Sequence, residues 1–269
     1  MAKNHRCYNE TNGKKRGLDM KIVSFNIRCA WEQDINGFLH RAGIVYERIK
    51  TEQPDIIGFQ EVTENILEMM VKLFPDYNFT GHGRCENYDG EGLYIATRKE
   101  TCDVLSFDSF WLSDTPRVPG SRYEKQSECP RICNVAKIKY KKTGEIIRVF
   151  NLHLDHEYDE AKVAGMKCVL DTIEKYQREE PHEFVITGDF NAEPDEEAKR
   201  LCDAFEGIKE MTINIPYTFH DNGITKIKWD YIYLTNKLAD RFISNGTWED
   251  SYNGIYLSDH HAVYVILKD

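Results

Sequence analysis

Hydrophobic positions along the chain follow two periods in turn, and that succession predicts the architecture. Lys21-Ile22-Val23-Ser24-Phe25-Asn26 is a β-rich run that places Ile22 and Val23 in a core and ends on a polar side chain. From Phe38 to Ile49, Leu39, Ile44, Val45 and Ile49 recur at helical spacing, and Pro54 closes the segment. Asp55-Ile56-Ile57-Gly58-Phe59-Gln60-Glu61 reads as a short buried strand. A second amphipathic helix follows, with Thr63 as N-cap and Ile66, Leu67, Met70 and Leu73 on one face. Strand, helix, strand, helix predicts a layered α/β fold.

Beyond Tyr77 the pattern turns toward β. Glu91 to Ala96 and Asp103 to Leu105 read as strands, and Ser113 to Cys129, carrying Pro116, Pro119 and Gly120, as a long loop. Ile132 to Tyr140 and Glu145 to Leu154 form a predicted hairpin about the turn Lys141-Lys142-Thr143-Gly144. A helix from Glu157 to about Tyr176 leads to the apolar strand Phe184 to Ile186. Lys228 to Leu234 and Ala262 to Leu267 are the last predicted strands. Residues 1–19 are polar and basic without hydrophobic period and read as a flexible tail; 20–269 reads as a single domain with no internal repeat.

Composition narrows the partners. In 269 residues, 41% hydrophobic and 12% aromatic content is ample for a core. The formal net charge of -10 argues against stable binding of long duplex DNA, which draws on many Lys and Arg contacts. A phosphate substrate remains compatible, because a metal site supplies positive charge locally. Eight scattered cysteines without a Cys-x-x-Cys pair read as reduced thiols; Cys129 and Cys133, four apart, are the nearest approach to a pair. No secretory signal or membrane-spanning run is found, so a cytoplasmic monomer is expected.

Candidate chemistry gathers at strand ends. Ile186-Thr187-Gly188-Asp189-Phe190-Asn191 offers a carboxylate and a carboxamide two positions apart, on one side if the segment is extended. Asp189 suits the orientation and deprotonation of a water, and Asn191 the donation of hydrogen bonds to phosphoryl oxygens. The same letters also fit an Asx turn leaving a buried strand. Asn26 and Glu61 are hard oxygen donors fit for Mg²⁺, although Glu61 also fits the first turn of the following helix. His153 and His260 are donors toward phosphate oxygens. Asp230, in the apolar run Trp229-Asp230-Tyr231, needs a partner and suits His260. Asp259 suits a metal-bound water or a second ion.

The ordered set Phe25-Asn26, Gln60-Glu61-Val62, Asn151-Leu152-His153, Gly188-Asp189-Phe190-Asn191, Trp229-Asp230-Tyr231 and Ser258-Asp259-His260-His261 resembles the endonuclease/exonuclease/phosphatase superfamily. The resemblance implies a four-layer α/β sandwich, two mixed sheets face to face with helices outside, and a divalent metal on one rim. It implies Asn26 and Glu61 at the metal, Asp189 and Asn191 on the attacking water and the phosphate, and His260 on the phosphate with Asp230 behind it. His153 is shared with the deoxyribonuclease and sphingomyelinase branches. A second likeness, to a bacterial subgroup of undefined substrate, rests on Phe110 to Pro116, Val118-Pro119-Gly120-Ser121, Pro130-Arg131 and Asn151 to His156. It implies that Arg131 and Asp155 line the pocket, and Arg84 of Gly81-His82-Gly83-Arg84 joins them as a substrate-binding candidate. Asn134 and Val135 depart from that subgroup's Thr-Trp.

The function these readings predict is Mg²⁺-dependent hydrolysis of a phosphate ester, with Mn²⁺ as the other metal, by in-line attack of an Asp-activated water. Small, lipid-linked and nucleic-acid phosphates all remain open as substrates; Trp31, Tyr88, Trp111, Tyr123 and Arg131 fall in or beside loops suited to stacking a base or sugar. The rivals are a binding protein that keeps the fold, and a zinc hydrolase built on His153, Asp155 and His156.

Overall fold

The structure, a computed structural model, describes residues 19–29 and 37–269. The predicted tail, except its last residue, and Trp31 lie outside the described residues. The first part of the chain forms β1 (Met20–Asn26), α1 (Phe38–Glu52), β2 (Ile56–Val62), α2 (Glu64–Leu73), β3 (Tyr77–Gly83) and β4 (Gly92–Arg98). The middle forms β5 (Cys102–Trp111), β6 (Ile132–Tyr140), β7 (Ile146–His153), α3 (Asp159–Glu179), β8 (Glu183–Asp189) and α4 (Glu197–Ala204). Then come β9 (Ile208–Glu210), β10 (Asp230–Thr235), the short α5 (Asn236–Ala239), β11 (Phe242–Trp248), β12 (Ser251–Tyr252), β13 (Ile255–Tyr256) and β14 (Ala262–Leu267).

Two six-stranded mixed sheets result, ordered β11-β14-β1-β2-β4-β3 and β5-β6-β7-β8-β10-β9, with β12 and β13 as a separate ribbon. Within them β1 runs parallel to β2 and β7 parallel to β8, while β14 and β10 run antiparallel to β1 and β8. The C-terminal ends of β1, β2, β7 and β8 therefore share a rim with the N-terminal ends of β10 and β14.

Burial on both faces explains why the central strands are continuously apolar. Ile22, Ile56, Ile95, Ile138, Val149, Val185, Ile232 and Val265 fill the space between the sheets. Val45, Ile49, Ile66 and Met70 seat α1 and α2 on the outer face of the first sheet. Met166, Val169, Leu170, Ile173 and Cys202 seat α3 and α4 on the second. The expected four-layer α/β sandwich is thus present.

Toward the rim the inter-sheet space becomes polar and closely fitted. Gln60 Nε2 donates to Asn151 Oδ1 at 2.7 Å, Asn151 Nδ2 donates to the Phe59 carbonyl at 2.8 Å, and Thr187 Oγ1 donates to Asn151 Oδ1 at 3.1 Å. Asn151 and Gln60, polar strand-end residues in the sequence, fasten one sheet to the other. Gly58 permits the approach: a Cβ there would stand 2.2 Å from Thr187 Oγ1.

Some local expectations change. β5 extends well past Leu105; it is an edge strand, half-exposed, so Ser106, Asp108 and Ser109 interrupt its apolar pattern without cost. Thr63 occupies the N-cap of α2 but its hydroxyl bonds Asn65, whose Oδ1 accepts the Ile66 N–H at 2.9 Å. Trp111 is buried, with its Nε1 donating to the Arg84 carbonyl at 2.7 Å, and Tyr123 is anchored to the Ala164 carbonyl at 3.1 Å, so neither is free to stack on a ligand. The seven described cysteines are free thiols. Among the described residues no helix is long and apolar enough to cross a membrane.

Candidate active site

Strand register assembles half the site. His153, the last residue of β7, stands opposite Asp189, the last of β8, and Asp189 stands opposite Asp230, the first of β10. One row across three strands thus carries an imidazole and two carboxylates. The facing sheet supplies Asn26 at the end of β1 and Glu61 near the end of β2, where the pairing with β4 bulges and Glu61 adopts φ +61°. That left-handed conformation is costly for a residue with a Cβ, and the bulge is what turns the carboxylate. Glu61 Oε1 then accepts from Asn26 Nδ2 at 2.8 Å and Oε2 from the Cys29 N–H at 2.9 Å.

Asp189 lies where the two sheets meet. Its Oδ2 accepts from Asn26 Nδ2 at 3.0 Å and stands 3.6 Å from both His153 Nε2 and His260 Nε2. Its Oδ1 accepts the Asn191 N–H at 2.8 Å. Oδ1 thus closes the Asx turn that the sequence allowed, while Oδ2 faces the two imidazoles. Asn191 is not on the strand: it takes φ +47° beyond the end of β8, and its Nδ2 donates to the Leu154 carbonyl at 3.2 Å. His260, just ahead of β14, crosses from the first sheet to bond Asp230 Oδ2 through Nδ1 at 2.7 Å. Asp259 accepts from Ser258 Oγ at 3.0 Å and lies 3.4 Å from Arg28 Nε.

Charge is divided unequally among these groups. Burial pushes Asp189 up to about 7 despite the opposing His260 charge. Burial alone would depress His260, but Asp230 and Asp189 outweigh it and hold the imidazolium up to about 10. His153 is driven well below the ordinary histidine range by burial and then by the Arg131 and Arg84 charges, so it is neutral. Glu61 is depressed in spite of burial, because the Asn26 amide and the Cys29 N–H stabilise its charge. Asp259 is raised, by burial and by the neighbouring Glu61 carboxylate.

The pocket-side candidates behave differently from one another. Arg131 is buried, donates from Nη2 to His156 Nδ1 at 2.8 Å, and shares a small cavity with Glu61, Arg84 and His153. Arg84 pairs with Glu91 at 2.8 Å. Asp155 does not point into that cavity. Its oxygens accept from the backbone N–H groups of Ser127 (3.2 Å), Glu157 (3.0 Å) and Tyr158 (2.9 Å) and from the Ser127 hydroxyl, which ties the 113–130 loop to the start of α3. The sequence missed Arg41, a buried helix residue whose guanidinium donates to the carbonyls of Ile27 (2.7 Å), Arg28 (3.1 Å) and Leu257 (2.5 Å). It thereby clamps together the loops that carry Asn26 and Asp259-His260. Its only signal was a charge on the apolar face of α1, at Phe38, Arg41, Val45 and Ile49.

The donor set fits a hard divalent cation. The half-buried Glu61 and the buried Asp189 face one another across a single amide nitrogen, and Asp259 and Asp230 add further negative charge against His260 and Arg28. Asp189, Asp230 and His260 also bring ligand atoms within 4.8 Å of one another, the one such trio of His, Cys, Asp or Glu among the described residues. A doubly protonated His260 bonded to Asp230 cannot ligate, so the oxygen groups around Glu61 are the better cation seat. The zinc trio of His153, Asp155 and His156 does not form: Asp155 is spent on backbone donors and His156 is held by Arg131.

Two mixed sheets packed face to face, with carboxylates, histidines and an asparagine drawn to one rim, define the class of deoxyribonuclease-like α/β sandwiches. The chain belongs to the endonuclease/exonuclease/phosphatase family, whose sequence profile matches residues 23–260. Members of that family hydrolyse phosphate esters and generally depend on a divalent metal. Among solved structures, the chain is similar to an endonuclease/exonuclease/phosphatase from Bacteroides vulgatus, with 29% identity, a TM-score of 0.84 and coverage of 93% of this chain and 98% of that one. It is also similar to a mannosyl-6-phosphatase from Bacteroides thetaiotaomicron, with 26% identity, a TM-score of 0.83 and coverage of 93% and 100%. The fold extends to D. rerio TDP2 complexed with a single-strand DNA product, at 16% identity, a TM-score of 0.74 and coverage of 94% and 100%. Among curated proteins no match was found.

Proposed function

We propose that the protein is a Mg²⁺-dependent hydrolase of phosphate esters, with Asp189 as the general base. The observation that carries this reading is the surroundings of Asp189 Oδ2, 3.6 Å from each of two imidazole nitrogens that differ in charge. A carboxylate raised to about 7 is matched to taking a proton from water near neutral pH. The in-line attack then places negative charge on the phosphoryl oxygens. His260 presents a charged Nε2–H to them, kept in that state by Asp230. Neutral His153 presents a second donor, and Asn191 holds the turn that aims Asp189. Glu61 and Asp259 would hold Mg²⁺ or Mn²⁺, and Asn26 would join them through Oδ1 only with its amide turned over, since Nδ2 donates to Glu61 and Asp189 and Oδ1 accepts the Arg28 N–H at 2.9 Å; the metal would offset charge developing on the phosphoryl and leaving oxygens.

The similar mannosyl-6-phosphatase supports a small phosphate such as a sugar phosphate as the first substrate to test. A second reading, a terminal nucleotide linkage, is favoured by the half-exposed Phe219 and Trp229, stacked at 4.3 Å beside His260. The decisive experiment is a panel of sugar phosphates, nucleotides, short single strands and synthetic esters, assayed with EDTA and with Mg²⁺. Metal-dependent turnover should appear on at least one, and Asp189→Asn should lower it by roughly 10²- to 10⁴-fold. Turnover indifferent to both EDTA and Asp189→Asn, or none on any ester, refutes the assignment.

A further inference from the structure

The Asp230–His260 bond spans the two sheets, since Asp230 opens β10 in one and His260 leads into β14 in the other. Neither ladder alone sets its length. A segment outside the named strands lies between the two approaches: Phe219 pairs as an isolated antiparallel bridge with Ile227 on one side and with His260 on the other. The Thr218 and Phe219 N–H groups donate to the Ile227 carbonyl at 2.8 and 2.9 Å, and the His220 N–H donates to the Asp259 carbonyl at 2.9 Å. Residues 218–220 thus form a seam that ties the entry of β10 to the entry of β14.

Thr218 stands at the crossing and is fully buried. Its Oγ1 accepts the N–H groups of both Trp229 and Asp230, each at 3.0 Å, and its carbonyl accepts the His261 N–H at 2.7 Å. Two consecutive N–H groups on one oxygen fix the rotation of the peptide that enters Asp230, and that rotation aims the Asp230 carboxylate. Bulk water does not reach the hydroxyl to stand in for it. Serine in its place would keep the oxygen, whereas valine would keep the shape and strand two donors. The bond from His261 goes to the Thr218 main chain and survives either change, so the displacement falls on Asp230.

We propose that Thr218 is a positioning residue for the reaction, its hydroxyl setting the reach of Asp230 to His260. It acts through Asp230 and not on the substrate. The inference rests on the reading of the Asp189 site as a phosphate-ester hydrolase with His260 on the phosphoryl oxygens, and it adds a residue to that machinery. At an effective dielectric near 20, lengthening the 2.7 Å contact by about 1 Å weakens the hold of Asp230 on the imidazolium by roughly 15-fold.

The test measures kcat/KM in Mg²⁺ on whichever of p-nitrophenyl phosphate and bis-(p-nitrophenyl) phosphate the wild type cleaves faster, with thermal melting as the folding control. Thr218→Val should lose roughly 10- to 20-fold and Thr218→Ser less than about threefold. Added to Asp230→Ala, the valine should cost less than about twofold more, because the carboxylate through which Thr218 acts is gone. An equal loss in both backgrounds, a serine variant as slow as the valine one, or a valine variant at the wild-type rate overturns the inference while leaving the hydrolase reading intact. Hydrolysis of neither ester rejects the hydrolase reading and this inference with it. Should Thr218→Val fail to fold, Thr218→Cys, close to serine in size but a weak acceptor, takes its place; it should be slower than Thr218→Ser by about fivefold, and equal rates overturn the inference.

Discussion

The Asp230–His260 pair makes the sharpest prediction, because it joins the two sheets and sets a charge that titration can read. Asp230 Oδ2 lies 2.7 Å from His260 Nδ1, and Asp189 Oδ2 lies 3.6 Å from Nε2. At 2.7 Å and an effective dielectric near 20, one unit charge contributes about 6 kcal/mol, or roughly four pKa units. Without Asp230, Asp189 alone opposes the burial penalty. In Asp230→Asn the imidazole that now holds its proton up to about 10 should therefore titrate below about pH 7. The sign for stability follows from linkage. A raised histidine stabilises the folded protein below its unfolded value of about 6.5, and that contribution disappears as pH rises through about 10. Wild-type protein should lose stability across this window and the variant should not. Histidine NMR on EDTA-treated protein over roughly pH 5 to 11, with urea melts at the two ends, measures both. A His260 resonance still titrating above about pH 9 in Asp230→Asn would refute the electrostatic reasoning.

Other outcomes follow from contacts elsewhere. Gly58→Ala forces a Cβ to 2.2 Å from Thr187 Oγ1 and 2.7 Å from Asn151 Oδ1, so the sheets must part, at a cost of about 3 kcal/mol in denaturant melts. Arg41→Met strands two buried carbonyls, those of Ile27 and Leu257, and the part-buried one of Arg28, and frees the loops bearing Asn26 and His260. Stability should fall by about 2–4 kcal/mol and turnover by roughly tenfold or more, both measurable on the folded fraction. Glu61→Gln should raise the Mg²⁺ concentration for half-maximal activity by roughly 10- to 100-fold, and calorimetry should show the same weakening without substrate. A variant whose Mg²⁺ affinity is unchanged would move the cation seat away from Glu61.

Much of this protein was already determined along the chain itself. Continuous apolar runs such as Ile56 to Phe59 and Val185-Ile186 require strands buried on both faces, and helical spacing at Val45, Ile49, Ile66 and Met70 requires helices that cover them. These are local periods, readable within one segment. Edge elements were less legible, because β5, β9 and β11 bury little and need no strict pattern. The letters of the site were legible too, but their partners were decided only by tertiary structure. Register between β7, β8 and β10 aligned His153, Asp189 and Asp230; a bulge turned Glu61; and a helix residue 216 positions from Leu257 clamped the opposing loops. The same packing gave Asp155 to backbone donors and left Arg131 with free ones. The physical reason is range: side-chain period is a property of neighbours in sequence, whereas register and facing between sheets depend on contacts that no single segment contains.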